Sequence, residues 1–143
     1  MQGQIQVTPL QRISIAGGDV LHAMKLRDAG YAGFGEAYFS FVDEGVVKAW
    51  KCHERMTLNL VVPVGEVRFV FHDGSAKPAF QEEVIGERRY ARLTVPPGIW
   101  FGFQGMASPH SLVLNLANLL HDPAETLRKG LADIPFDWTR ARP

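Results

Sequence analysis

The stretch GVVKAWKCHERMTLNLVVPVG, residues 45–65, decides how the chain is read. Residues 46–53 form one β-branched and aromatic run and residues 56–63 a second, which ends on Gly65 where a tight turn wants positive φ. Strand side chains alternate with a period of two, so Val47, Ala49, Lys51 and His53 share one face while Val46, Lys48, Trp50 and Cys52 share the other. A lysine and a histidine on the inward face of a small barrel are costly to bury without a use, and this pair marks the candidate site.

Outward from this segment, short runs rich in Val, Ile, Phe and Tyr recur at residues 11–15, 35–42, 66–72, 88–95, 99–104 and 111–116. Three turn signals separate the central runs: Val64, Gly65 and Glu66; His72, Asp73, Gly74 and Ser75; and Pro96, Pro97 and Gly98. They predict pairing of consecutive strands in a meander-like core. Helical character is confined to the end of the chain, where Asp122 can cap and Pro123 open a short helix running through Leu127 to about Leu131. The expected architecture is all-β, an antiparallel jelly roll with a short C-terminal helix.

The 143 residues suffice for a single domain, 1–143, with a proper core, and no linker divides them. Fifteen basic residues balance fifteen acidic ones, so no nucleic acid or anionic membrane is expected as a partner. Cys52 is the single cysteine, and the N-terminal MQGQIQVTPLQRISIAGG lacks a signal-peptide run, which leads us to expect a reducing, cytoplasmic setting. No stretch of eighteen apolar residues is present to span a membrane as a helix.

The order GVVKAWKCH, VVPVGEVRFVFHD, VPPGIWFGF resembles the cupin jelly roll, or double-stranded β-helix, of sugar-nucleotide isomerases. Residues 35–125 are most similar to the dTDP-4-dehydrorhamnose 3,5-epimerases, whose motifs have the forms GVLRGLH and VPEGFAHGF. The resemblance implies a homodimeric isomerase without cofactor, acting on a dTDP-4-keto-6-deoxyhexose in deoxysugar and polysaccharide biosynthesis. Lys48 takes the place of the arginine that holds the diphosphate, and Glu36 and Ser40 align with polar ligand contacts. Lys51 stands where the epimerases have their base histidine, Asn59 where they have a catalytic lysine, and Phe101 replaces the histidine of the later motif. Their acid tyrosine falls near Leu114. The sugar-nucleotide 3,4-ketoisomerases, with a motif of the form GVVRGGHAHK, place their second histidine at His53.

Both reactions begin by removing a proton next to a ketone, which needs a base near neutral pKa and a positive group at the developing enolate oxygen. His53 suits the first role and Lys51 the second, with Lys51 expected to lower the histidine pKa. Tyr38 is the preferred acid, with Tyr90 also available. Lys48 is assigned to the diphosphate with Arg68 or Arg55 as helpers, and Asn59 to the sugar. Plainer readings exist for each: a hydrogen-bonded strand-end histidine, an edge lysine, a packed tyrosine, solvated arginines. The usual metal quartet of cupins reads Lys51, His53, Leu58 and Phe101 here, short of the three ligands a catalytic metal needs, so no metal is expected. Three activities stay open: a 3,5- or 3-epimerase, a 3,4-ketoisomerase, and a silent sugar-nucleotide binder. The N-terminal strands are expected to cross to a neighbouring copy, and Phe136 and Trp138 to pack on the barrel or the partner.

Overall fold

The computed structural model describes residues 4–141 and 143. Among them the chain forms twelve strands: β1 (Gln6–Pro9), β2 (Arg12–Ile13), β3 (Val20–Leu21), β4 (Glu36–Asp43), β5 (Val47–His53), β6 (Leu58–Val64), β7 (Glu66–His72), β8 (Gln81–Gly86), β9 (Ala91–Val95), β10 (Trp100–Gly105), β11 (His110–Ala117) and β12 (Thr126–Arg128). Two five-stranded antiparallel sheets result, in the orders β1-β9-β6-β11-β4 and β12-β5-β10-β7-β8, with β2 and β3 as a separate ribbon. From β4 to β7 and from β9 to β12, successive strands alternate between the two sheets. The chain therefore winds as a double-stranded β-helix, and the all-β jelly-roll expectation is borne out.

The turns connect differently from the expectation. Gly65 has a φ of 84° and Gly98 also 84°, the left-handed conformation their positions required. Both are corners between sheets, however, since β6 pairs with β9 and β11, and β10 pairs with β5 and β7. Of the three turn signals, only the Asp73 and Gly74 reversal begins a connection between paired strands, β7 and β8. Turn residues encode a change of direction and not which strand lies across it.

The C-terminal helix is replaced by a strand. Asp122 does cap, its carboxylate accepting from the Ala124 amide at 3.0 Å, and Pro123 does open a turn, but the 3-10 turn ends at Glu125. Thr126, Leu127 and Arg128 then pair with His53, Cys52 and Lys51 of β5, which satisfies their backbone groups without a helix. A second 3-10 turn spans Leu131–Asp133. The N-terminal β1 pairs with β9 of its own chain and completes its own sheet.

Period-two alternation builds two cores. Leu58, Leu60 and Val62 of β6, Val67, Phe69 and Phe71 of β7, and Leu93 and Val95 of β9 fill the space between the sheets. Fully burying each such side chain contributes about 1.5–3 kcal/mol. The opposite face of the second sheet presents Trp50, Cys52, Val70 and Trp100, which pack against Ile134 and Phe136 with Trp138 alongside. Phe136 and Trp138 thus cover their own barrel. Between the sheets, beyond the apolar filling, the strands leave a hollow lined by β4, β5, β10, β11 and β12. Among the described residues no helix is long and apolar enough to cross a membrane.

Candidate active site

A bulge in β5 sets which residues reach the hollow. Phe101 pairs with Lys51 but Phe103 with Lys48, so two steps along β10 face three along β5. The extra residue lies at Ala49 and Trp50, opposite Gly102, where a methyl on the glycine would sit 2.5 Å from that of Ala49. Strict alternation had placed Lys48 and Lys51 on opposite faces, whereas with the phase slipped both line one cavity of about 340 Å³, with Tyr38, Ser40, Phe101, Phe103, Asn115 and Arg128. A second cavity of about 400 Å³ is lined by Glu36, Tyr38, Lys51, His53, Met56, His121, Thr126 and Arg128. The two meet at Tyr38, Lys51 and Arg128.

His53 is 8% exposed and its Nδ1 donates to the Glu125 carboxylate, which is 2% exposed. The other carboxylate oxygen accepts from the Arg55 and Met56 amides, each at 3.1 Å, and Thr126 Oγ1 donates to Oε1 at 3.1 Å. Burial alone would raise the Glu125 pKa, but the His53 hydrogen bond and the two amides outweigh it and hold the group at about 2. An ionised acceptor-only carboxylate on Nδ1 fixes the tautomer, leaving the lone pair on Nε2, which has no hydrogen-bond partner among the described residues. Burial lowers the His53 pKa most, the Glu125 bond opposes it, and Lys51 and Arg128 contribute smaller lowering effects. The lowering expected from Lys51 is present, and desolvation exceeds it.

Burial also lowers the Lys51 pKa, with Arg128 and Lys48 reinforcing it against Glu125. Lys51 Nζ sits 5.5 Å from the centre of the Phe101 ring. Lys48 Nζ instead donates to the Phe41 carbonyl at 2.8 Å. Tyr38, inward on β4, has its pKa raised by burial and by Glu36, so the phenol keeps its proton at neutral pH. Ser40 accepts from Asn115 Nδ2 at 3.1 Å.

Six of the eight sequence-derived residues come together: Glu36, Tyr38, Ser40, Lys48, Lys51 and His53. Two do not. Asn59 alternates with Leu58 and Leu60 and faces outward, where Nδ2 donates to the Gly30 carbonyl at 3.0 Å and Oδ1 accepts from Thr94 at 2.5 Å. Arg68 alternates with the inward Val67 and Phe69, lies 1% exposed beneath the C-terminal segment, donates to the Arg140 carbonyl at 3.0 Å and approaches Glu82 at 3.8 Å. Neither borders the hollow. Arg55 pairs at the surface with Asp122 at 3.3 Å. Sequence reasoning missed Glu125, Arg128 and Asn115. Glu125 lies 72 residues from His53, in a segment read as helix, and only the expectation that a buried histidine needs an acceptor pointed to a group of its kind. Among the described residues no group of three or more His, Cys, Asp or Glu side chains is placed to hold a metal ion.

A double-stranded β-helix with a carboxylate-held histidine and clustered cations in its hollow defines the class, a cupin of the isomerase kind. No protein-family model matches the chain, and no curated protein matches it in sequence. Solved structures do. A dTDP sugar isomerase from Desulfovibrio desulfuricans G20 is 35% identical, with a TM-score of 0.89 over 96% of this chain and 92% of that one. A dTDP-6-deoxy-D-glucose-3,5-epimerase from Legionella pneumophila, solved with dTDP-4-keto-L-rhamnose, shares the fold at 15% identity and TM-score 0.80, covering 96% of this chain and 79% of that one. A sugar 3,4-ketoisomerase from Thermoanaerobacterium thermosaccharolyticum, in complex with TDP, does so at 15% identity and 0.76, over 90% of each. The chain belongs to the dTDP-sugar isomerase family of dTDP-4-dehydrorhamnose 3,5-epimerase-like cupins.

Proposed function

We propose that the protein isomerises a dTDP-4-keto-6-deoxyhexose by removing a proton from carbon next to the ketone, without a metal. The observation that carries this reading is the buried Glu125–His53 pair, which leaves Nε2 as a proton acceptor in the second cavity, which Lys51 also lines. His53 takes the proton, Lys51 assists from the ketone side, and Tyr38, still protonated, returns a proton from across the hollow. The sugar occupies the cavity with His53 and Glu36. The nucleotide lies in the other, where Phe101 and Phe103 offer apolar surface and Lys48 and Arg128 offer charge to the diphosphate. Ser40 supplies a further polar contact. Epimerisation at one or two carbons and ketone migration share the first step. Incubation with dTDP-4-keto-6-deoxyglucose in deuterated water, followed by NMR, separates them: label at C3 and C5 marks a 3,5-epimerase, at C3 alone a 3-epimerase, and a migrated ketone the ketoisomerase. A tightly held but unlabelled ligand marks a silent binder and overturns the reading.

The working form is a homodimer. Phe39 and Phe41 of edge strand β4 are 62% and 59% exposed on its outward face, beside the half-buried Leu112, Leu114 and Leu116 of β11. An apolar sheet face of this kind supports pairing with a second copy. Sedimentation velocity is expected to give a dimer that Phe39→Lys converts to monomer; a monomeric wild type contradicts it.

A further inference from the structure

We propose that Lys51 is a nucleophile, its amine adding to the substrate ketone and carrying the sugar as a protonated imine while the neighbouring proton is moved. This rests on the 4-keto sugar nucleotide proposed above and concerns how the ketone is activated. Lys51 lines both cavities where they meet, and its Nζ makes no hydrogen bond or ion pair among the described residues and sits over the face of Phe101. The cations around it are differently placed. Lys48 is tied to the Phe41 carbonyl, and Arg128 is the direct cross-strand neighbour of Lys51 on β12.

The anions facing Lys51 are Glu125 and, across the second cavity, Glu36. Glu125 is committed to His53, Thr126 and two backbone amides, so it offers the ammonium no direct contact. Half-burial, two like charges and the lack of a paired carboxylate all favour the neutral amine, in agreement with its lowered pKa. A lysine serving only as a cation at an oxygen would be placed beside an anion that keeps it charged. These surroundings lower the cost of giving up that proton, and the amine opens onto the cavity.

The chemistry balances without a co-reactant. Nζ adds to C4, one proton passes from the nitrogen to the C4 oxygen and a second comes from solvent, and that oxygen leaves as water to give the protonated imine; hydrolysis later returns the solvent proton. The Nε2 of His53, on the same strand and face two residues on, takes the proton from the adjacent carbon, and the electron pair moves into the C–C–N system as a neutral enamine. Reprotonation on the other face regenerates the imine, water adds to C4, and the carbinolamine expels Lys51 and restores the ketone. A protonated imine draws electrons more strongly than a hydrogen-bonded ketone, which is the gain over a purely polar contact.

The test adds sodium borohydride to the wild-type protein turning over dTDP-4-keto-6-deoxyglucose, with intact mass and peptide mapping as the readout. The expected result is one reduced sugar nucleotide per chain, on Lys51, absent from Lys51→Arg. In ¹⁸O water the C4 oxygen should exchange with solvent at the turnover rate, which a simple enolate would not cause. Lys51→Arg places a permanent cation there with no nucleophilic amine and should lose turnover about 100-fold while binding dTDP as well as wild type. Deuterium exchange at C3 or C5 with neither adduct nor enzyme-dependent ¹⁸O exchange overturns the imine and leaves the isomerase reading intact. Turnover of Lys51→Arg equal to wild type does the same. Absence of both isotope exchanges removes the isomerase reading and the imine together.

Discussion

Replacing Glu125 with glutamine is expected to damage stability and catalysis together, because one carboxylate serves both. Its oxygens accept from four donors, His53 Nδ1, Thr126 Oγ1 and the amides of Arg55 and Met56, and it is 2% exposed. An amide in the same place must aim its NH₂ either at the two backbone amides, leaving donors facing donors, or at His53. The second choice forces the proton onto Nε2 and removes the base. The drop of the carboxyl pKa from 4.5 to about 2 means that the folded state favours the ionised form by about 3 kcal/mol, at about 1.4 kcal/mol per pKa unit. Urea denaturation at pH 7 should therefore show Glu125→Gln less stable by about 3 kcal/mol. Between pH 4.5 and about 2 the unfolded carboxyl binds a proton that the folded one refuses, so wild-type stability falls as pH drops through this window. The glutamine variant lacks that part of the fall. Turnover should decrease about 10²- to 10⁴-fold with little change in dTDP affinity. A variant as stable and as active as wild type would refute the role of this carboxylate.

Lys48→Ala should weaken substrate binding about 10- to 100-fold, the worth of about 1.5–3 kcal/mol for a charged hydrogen bond, with turnover largely kept; KM against kcat checks it. Because burial lowers the His53 pKa, the acidic limb of kcat/KM should fall below pH 6.5, as read from a pH–rate profile, and a limb above 6.5 contradicts the environment described. The same shift makes the unfolded chain bind that proton first, so His53 also loses stability for the fold as pH drops below 6.5. Asn59→Ala should leave KM unchanged and lower the melting temperature, since Asn59 holds the Gly30 carbonyl and Thr94 away from the hollow.

Strand pattern was the most legible layer. The alternation of Val67, Phe69 and Phe71 with Arg68 and Val70 places β7 at Glu66–His72, as residues 66–72 had predicted. That alternation also puts Arg68 on the outer face, a consequence hidden because the covering segment, Ile134 to Arg140, lies far along the chain. Residues 81–86, QEEVIG, carry too many polar groups to read as a strand, and become β8 by pairing with β7. Within the site, Lys51 and His53 were legible from their spacing. Lys48 joined them only through the β5 bulge, which depends on the fit of Ala49 against Gly102 and leaves no mark in a period-two count. Glu125 and Arg128 arrive on β12, and a strand of three residues that forms only against β5 has too little pattern of its own to be seen.

The central claim is that the His53 imidazole moves the proton next to the ketone. Deuterium incorporation from solvent into dTDP-4-keto-6-deoxyglucose, followed by NMR with wild type and His53→Asn at equal ligand occupancy, tests it directly. The account predicts label in the sugar ring with wild type and none above the uncatalysed background with His53→Asn, while dTDP binds both alike. Equal rates of labelling by the two proteins would contradict it.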